Sequence, residues 1–566
     1  MLRSLALLVQ CFITALSLQA AAPPEFGGSQ VARTSNMAST YVPLDSWVYS
    51  AIDRLAAEGY VQSAFLSLRP WTRLECARLI QEAGERVTEE PGASDTPELL
   101  FSLKEEFSAE LQRREGERNR EFRLESLDQR VTAIAGRPLT DGFHFGQTIV
   151  NDEGRPFAEG ANLFSGSTFR ATAGRFAGYI QTELQRSPLA PIPNANAEQQ
   201  IAAADFTSTA AAGPASGFLR GRLLEAYGSI SFSGNQFTFG RQSLWWGPAR
   251  SGATLFSNNA APIDMVRYDR VSPFELPGFL KILGPIRAQV MLGRLSGTQF
   301  AHPLNVLYGT SGVALSDQPF IHGEKVSFKP TPNFEFSVSR TTIFGGTGSP
   351  VNTHSFLRSV FSSGTENGDN DPGDRRQAVD ASYRIPGLRQ CLTGYFDAFA
   401  EDQPFPLVYP TESVWLSGFL LSCVPHLPRL TVRAEGLLSP HRDLAFPGFF
   451  YFNVHYLSGY TNDRQLIGSW IGREAEGQQA WADWHFSPHS VLELSGRSQT
   501  VNHEFLQGGY LRDLRATADI AIHPEWQLRV EEQTEWWRFP LLYATAQRNA
   551  AFTIQLSYRP LARKTQ

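Results

Sequence analysis

Two spacings of apolar residues divide the chain. Between about residues 41 and 125 apolar positions recur every three or four residues, the period of a helix. Val48, Ile52 and Leu55 predict a first helix, capped by Asp45 or Ser46 and ending at Gly59. Thr72-Arg73-Leu74-Glu75 has the form of a capping box and predicts a second helix through Leu79, Ile80 and Ala83 to Gly84. Thr96-Pro97-Glu98 opens a third, with Leu99, Leu103, Phe107 and Leu111 inward. Its tail carries Arg113, Arg114, Glu115, Glu117, Arg118 and Arg120, predicting a charged face turned to the periplasm. The expectation is a small helical bundle over residues 41–130.

From about residue 140 the period becomes two. Phe552, Ile554, Leu556 and Tyr558 alternate with Thr553, Gln555 and Ser557. Trp526, Leu528 and Val530 alternate with Gln527, Arg529 and Glu531, and Ala480, Ala482, Trp484 and Phe486 with Trp481, Asp483 and His485. One face is apolar and the other carries full charges. A sandwich buries the apolar face under a second sheet, whereas a membrane barrel turns it to lipid. Loop lengths separate the two. Tight turns at Gly234-Asn235, Lys329 to Asn333, Pro386-Gly387, Pro425 to Pro428, Ser487-Pro488 and His523-Pro524 alternate with long polar connections near 188–216, 344–375, 439–476 and 539–548. Short turns at one end and long loops at the other are the habit of outer-membrane barrels. The pattern predicts an all-β transmembrane barrel of about eighteen antiparallel strands over residues 140–560, with the helical bundle as a small N-terminal periplasmic domain or plug.

Composition fits this picture. Charged residues are 19% and apolar residues 42%, while 47 Gly and 40 Phe stand against 4 Met. That is too aromatic for disorder, and no stretch reaches the apolar length of a membrane helix. A net charge of −6 gives no sign of a nucleic-acid partner. Arg3 followed by the apolar run Leu5 to Leu18 and by Leu18-Gln19-Ala20 reads as a signal peptide over residues 1–20. Cys11 follows Gln10, which argues against lipidation. The other cysteines, Cys76, Cys391 and Cys423, form no C-x-x-C and so no zinc framework.

Distinct blocks carry a resemblance. Glu225-Ala226-Tyr227, the run Phe239-Gly240-Arg241-Gln242-Ser243-Leu244-Trp245-Trp246-Gly247-Pro248 and the run Phe256-Ser257-Asn258-Asn259-Ala260-Ala261-Pro262 resemble the capsule assembly protein Wzi family. So do Phe344-Gly345-Gly346-Thr347-Gly348, Gly459-Tyr460-Thr461-Asn462 and Gly468-Ser469-Trp470-Ile471-Gly472-Arg473, and the opening from Tyr41 to Arg73. The resemblance implies an eighteen-stranded outer-membrane barrel with a periplasmic helical bundle near its inner mouth. It implies a lectin-like anchor for exported capsular polysaccharide, with no catalysis, cofactor or metal. Implied partners are the polysaccharide, outer-membrane lipid and lipopolysaccharide, and the capsule export machinery, for a monomeric protein. The helical segment also resembles a single S-layer homology repeat, which implies peptidoglycan contact.

Chemistry along the chain adds little catalysis. G-x-S-x-G, H-E-x-x-H and P-loop motifs are absent, and Glu366 to Asp374 has Pro372 where a calcium loop needs Gly. Alternation aims Glu225, Arg433, Glu435, Glu493, Arg497, Arg515, Asp519, Arg529, Glu531 and Glu535 into the lumen, where interleaved signs predict ladders that wire it shut. Trp245, Trp246, Arg250, Asn258, Asn259, Trp470 and Arg473 are candidates for polysaccharide binding at the upper, outer end, through stacking on sugar rings and hydrogen bonding. The same Trp residues fit an aromatic girdle or loop packing. Arg241 and Arg340 fall on the lipid side by strict alternation, so either a bulge re-aims them or they sit at the rim against lipid phosphates. Cys391 and Cys423, equidistant from residue 407 between two strands, are expected to oppose each other on the lumen face of Asp397 and Ser417 and to form a disulfide. Cys76 is expected to remain a buried free thiol. On residues alone, a diffusion porin and an outer-membrane hydrolase are the alternatives.

Overall fold

The computed structural model describes residues 34–89, 95–190, 193–210, 218–302, 313–315, 317–346, 349, 351–361, 373–386, 391–401, 405–422, 424, 426–442 and 446–560. The expected signal peptide, residues 1–20, lies outside them. Eighteen antiparallel strands close into one barrel. In chain order they are β1 Arg120–Ala135, β2 Gly160–Ala173, β3 Phe176–Ser187, β4 Phe218–Phe232, β5 Asn235–Gln242, β6 Ile263–Arg270, β7 Ile286–Arg294, β8 Phe320–Thr331 and β9 Phe334–Phe344. The second half comprises β10 Asp374–Arg384, β11 Leu392–Glu401, β12 Val414–Leu421, β13 Leu430–Ser439, β14 Ala475–Ser487, β15 Ser490–Val501, β16 Gly509–His523, β17 Trp526–Arg538 and β18 Gln547–Tyr558. Closure is made by β1 on β18, with Leu127 opposite Tyr558.

Alternation decides which face is which. Ile180, Leu184, Phe239, Leu494, Leu514 and Ile554 are exposed on the outer wall, while Thr553 and Ser557 are buried inside. The wall begins earlier than the sequence suggested. β1 opens at Arg120, inside the span expected to be helical, because Glu121 and Glu125 alternate inward to meet arginines. The hairpins at one end are tight: Ser233 and Gly234 both take positive φ, the backbone that a two-residue turn between right-twisted strands requires. The opposite end carries the long connections, one of which, between β3 and β4, holds α5 (Ala195–Ala204). By that asymmetry the tight end is periplasmic and the long-loop end extracellular.

The helices sit in the periplasmic mouth. α1 (Trp47–Ala57) is capped by the Ser46 side chain, which accepts from the Val48 amide. α2 (Arg73–Glu89) starts on Thr72, whose hydroxyl accepts from the Glu75 amide and so completes half of the capping box. The other half is missing because the Glu75 carboxylate binds Arg287 on the barrel wall instead. α2 runs five residues past Gly84. The expected third helix is two, α3 (Thr96–Glu106) and α4 (Ser108–Glu115), broken where Phe107 leaves helical angles to bury its ring beneath the Arg73 guanidinium. Arg113 does not face the periplasm. It is buried between Glu110 and Glu121, so α4 closes onto β1.

The plug docks through polar contacts with inward-facing strand residues. Ser67 donates to Glu335 at 2.6 Å, Arg433 reaches Asp53 at 3.0 Å, and Lys329 donates to the Ala64 carbonyl. Above it, three loops fold down into the lumen and build one apolar core that includes Phe145, Trp246, Phe256, Phe450, Tyr451, Tyr460 and Trp470. No described helix is long and apolar enough to cross a membrane; the wall does so with strands.

Candidate functional site

Trp245 and Trp246 follow β5, at the extracellular end of the wall. The loop 243–262 does not stay there. It dives through the lumen until Trp245 and Trp246 pair as a two-residue antiparallel ladder with Arg69 and Leu68 of the plug. Trp246 is fully buried, donates its Nε1–H to Gln289 at 2.9 Å and meets Phe256 edge-on. Trp245 is buried at the plug surface. Neither indole presents a face to extracellular solvent, which corrects the expected outward placement. The physical reason is the apolar content of this loop: Leu244, Ala249, Leu255 and Phe256 all enter the core.

The other candidates are held in the same way. Asn259 accepts from the Asn151 amide and donates to the Leu466 carbonyl, and Asn258 is buried. Trp470 is buried with Arg497 over its ring. Arg473 is enclosed by Phe143, Phe452 and Phe505, with Nη1 on Asp205 at 2.5 Å and Nε on the Gly448 carbonyl. Only Arg250 keeps some access, on a 290 Å3 cavity between α1 and the wall, and it spans Asp483 at 2.7 Å and Glu493 at 2.5 Å. These seven residues form a scaffold.

All ten inward charges point into the lumen, as alternation predicted. Glu225 accepts from the Ser243 amide, and Glu435 from the amides of Arg250 and Ser251 and from the Tyr395 hydroxyl. Arg497 binds Asp513 at 2.6 Å, Arg529 binds Asp519 at 2.8 Å, and Arg515 approaches Glu531 at 3.7 Å. Glu535 accepts from Thr148 and Asn549. Most of the ten lie beside an opposite charge, while Glu225 is held by a backbone amide instead.

The structure also joins residues that spacing could not connect. His144 sits between Asp141 and Asp205, 2.7 Å from each, and Asp205 continues to Arg473. Burial opposes charge on this imidazole, but the two carboxylates more than reverse it and hold the pKa up to about 10. Asp152, despite burial, is held down to about 2 by Arg130 and Arg155. Three loops are thereby fastened beneath the extracellular surface.

On that surface the loops 405–413, 440–442 and 502–508 meet. Arg442 binds Glu412 at 2.8 Å and stacks over Phe449, His441 bridges Glu474 and Glu504, and Tyr409 is exposed beside them. No periodic signal marks these residues. Among the described residues no group of His, Cys, Asp and Glu is arranged to hold a metal. Most of the acidic stretch 366–374 lies outside them, and Asp374 pairs with Arg376 at 2.7 Å.

Arg241 and Arg340 both remain on the outer face, without a bulge to re-aim them. Arg241 is opposite Asp264 across the β5–β6 ladder and binds it through two parallel bonds of 2.9 and 2.7 Å. Arg340 donates to the Val360 carbonyl. Cys76 is a buried free thiol. Cys391 is disulfide-bonded, and Cys423 lies outside the described residues. The β11–β12 register sets Leu392 opposite Leu421, so Cys391 faces Ser422, one residue off the expected pairing. The same shift turns Ser417 to the outer wall and Leu416 inward opposite Asp397.

A closed barrel with an apolar outer belt, a helical plug in its inner mouth and loops packed through its lumen is an occluded barrel of the outer-membrane type. The chain belongs to the capsule assembly protein Wzi family, whose model matches residues 129–552. The solved structure of Wzi, an outer membrane protein involved in group 1 capsule assembly in Escherichia coli and described as a carbohydrate-binding β-barrel, superposes with a TM-score of 0.64. It is 15% identical over 91% of this chain and 99% of that one. An uncharacterized 55.8 kDa protein in the cps region of Klebsiella pneumoniae is 23% identical over 197 residues. That alignment covers 34% of this chain and 35% of the relative, about a third of its length. A BenF-like porin from Pseudomonas fluorescens Pf-5 is 9% identical, with a TM-score of 0.41 over 78% of this chain and 99% of that one.

Proposed function

We propose that this protein is a monomeric, non-enzymatic anchor in the outer membrane that holds exported capsular polysaccharide at the cell surface and assists capsule assembly. The observation that carries the reading is a lumen filled from both ends in a member of a capsule assembly family. A filled lumen suits a scaffold that presents extracellular loops, and it disfavours diffusion through the barrel. The carbohydrate binding of the E. coli structural relative supports the ligand class. The surface formed by Tyr409, His441, Arg442 and Glu504 is the part that meets the polymer, because it combines an exposed ring with donors and acceptors. Trp245, Trp246, Asn258, Asn259, Trp470 and Arg473 support it from below. Outer-membrane lipid surrounds the wall, and the export machinery delivers the polymer to the loops.

The test is retention of capsular polysaccharide from the protein's own strain by purified protein, alongside deletion of the gene. Retention, with capsule shed into the medium but still synthesised, is the expected result. No retention and an unchanged ratio of cell-bound to shed capsule would refute the reading.

A further inference from the structure

α6 (Thr353–Phe361) belongs to the long connection between β9 and β10, yet it packs against the outside of the barrel. Direction is fixed by the strands beneath it. On β8 and β9, Lys325 binds Asp380, and Ser327 and Ser337 bond each other next to Ser67 of the plug, so these positions face the lumen. Their neighbours His322, Glu324, Arg340 and Thr342 therefore face outward. α6 covers this outward set. Phe356 meets the His322 ring at 6.3 Å, Thr342 donates to the Ser359 carbonyl at 3.2 Å, and Arg340 donates to the Val360 carbonyl at 3.1 Å.

The covered patch lies at the depth of lipid. Outward aromatics bracket it: Phe328 stacked on Phe336 toward the periplasmic end, and Phe320, with the covered Phe344 beside it, toward the extracellular end. Such aromatics mark the two interfaces of a membrane barrel. The step from Phe328 to Phe320 rises roughly 27 Å along the strand, or roughly 20 Å along the membrane normal at the usual tilt, comparable to the apolar band of an outer-membrane barrel. Glu324 opposite Arg340 and His322 opposite Thr342 stand between those aromatics. Bare, they would put a charged pair into hydrocarbon. Under α6 they are buried, His322 at 2% and Glu324 at 9% exposure. The outer side of α6 exposes Leu357 and Phe361, with His354 one turn before them and the exposed Val351 ahead of the helix, on the same outer face as the half-buried Phe336 and Val338.

We propose that α6 is a lipid-lodged helix. It lies in the outer leaflet as a patch over a polar opening in the barrel's apolar belt and offers Leu357 and Phe361 to the acyl chains. The occupant is acyl chain because the exposed face continues the wall's own lipid-facing surface. The inference requires only that the barrel spans the membrane, not that it binds polysaccharide.

The test places an environment-sensitive fluorophore on Leu357→Cys or Phe361→Cys in full-length protein reconstituted into phospholipid vesicles, with wild-type protein labelled in parallel. Val338→Cys on the wall supplies a lipid reference and the exposed Gln199→Cys of α5, on the extracellular side, an aqueous one. Heat-modifiable mobility on gels verifies that each barrel is folded. The expected result is blue-shifted emission at both helix positions and loss of most of it to spin-labelled lipid, as at Val338. Emission like that at Gln199, quenched by aqueous iodide, would overturn the proposal. So would emission that neither quencher reaches and that changes on protein dilution, since a second copy would then cover the face.

Discussion

Arg69 and Trp245 face each other across a two-residue ladder in the interior of the barrel, one from the periplasmic plug and the other from a loop that descends from the extracellular end. Arg69 also binds Asp53, which holds Arg433 of the wall. Plug, loop and wall therefore meet at one point, and the lumen is closed twice. Below this ladder the helices fill it; above it the loop core containing Tyr451, Tyr460 and Trp470 does.

Double closure sets the outcome of removing the plug. The excision must stop at residue 115, because Arg120 already belongs to the wall. Without residues 41–115 the upper core stays packed, since Tyr451 still donates to the Thr254 carbonyl and accepts from the Ser469 amide. The expected result in planar bilayers is small, unsteady conductance, with a large steady channel only when the loop 440–474 is shortened as well. A large channel from the plug deletion alone would show that the loops do not seal the lumen.

Arg250 fixes the descending loop to β14 and β15 through Asp483 and Glu493. Its side chain retains 31% exposure, so the loss on Arg250→Ala lies between that of a surface pair and a buried one, about 1–3 kcal/mol. The two carboxylates it separates would also be left facing each other. The measurement is the denaturant midpoint of the folded barrel in detergent; an unchanged midpoint would mean the contact is not structural.

How much of this was legible depends on the range of the interaction involved. Alternation at Phe552 to Tyr558 and the turn residues near Gly234 and Pro524 are local, and they were enough for barrel class, strand number and the inward aim of all ten lumen charges. Ser46 and Thr72 marked their helix starts for the same reason. The fate of a loop is not local. Nothing in Gly247-Pro248 tells whether the chain turns outward or folds into the lumen, so binding at the outer end and loop packing both stayed open for Trp245 and Trp246, and the structure shows the packing. His144 and Asp205 are 61 residues apart and their contact exists only because two loops converge. Arg241 is a milder case: its partner Asp264 sits on the adjacent strand but across a loop of uncertain length, so register hid the pair.

Cys391 being disulfide-bonded gives a chemical test of the β11–β12 hairpin. Backbone register puts Ser422 opposite it, and Cys423 is the expected partner. Thiol labelling of denatured, unreduced mature protein is then expected to find one reactive cysteine, Cys76. Cys391→Ser is expected to cost about 4 kcal/mol through the lost closure of a loop of this length. Three labelled thiols in the wild type would exclude the bridge.

The last prediction concerns pH and the loop fastening at His144. Burial disfavours the imidazolium, yet Asp141 and Asp205 raise its folded-state pKa to about 10, against about 6.5 for an unperturbed histidine. The folded state thus binds the proton more tightly than the unfolded state, so this group's stabilisation is complete below about pH 6.5 and is lost as pH rises through about 10. Asp205, buried but held below its usual value by His144 and Arg473, loses its own part in the opposite direction, as pH falls through the carboxylate range. His144→Gln keeps a hydrogen-bonding side chain but removes the charge. The gap between wild type and variant in thermal midpoint is expected to be widest near pH 6 and to close toward pH 10. A gap that is constant across this range, or that widens with pH, would show that the imidazole is neutral in the folded protein and that the loops are held by packing alone.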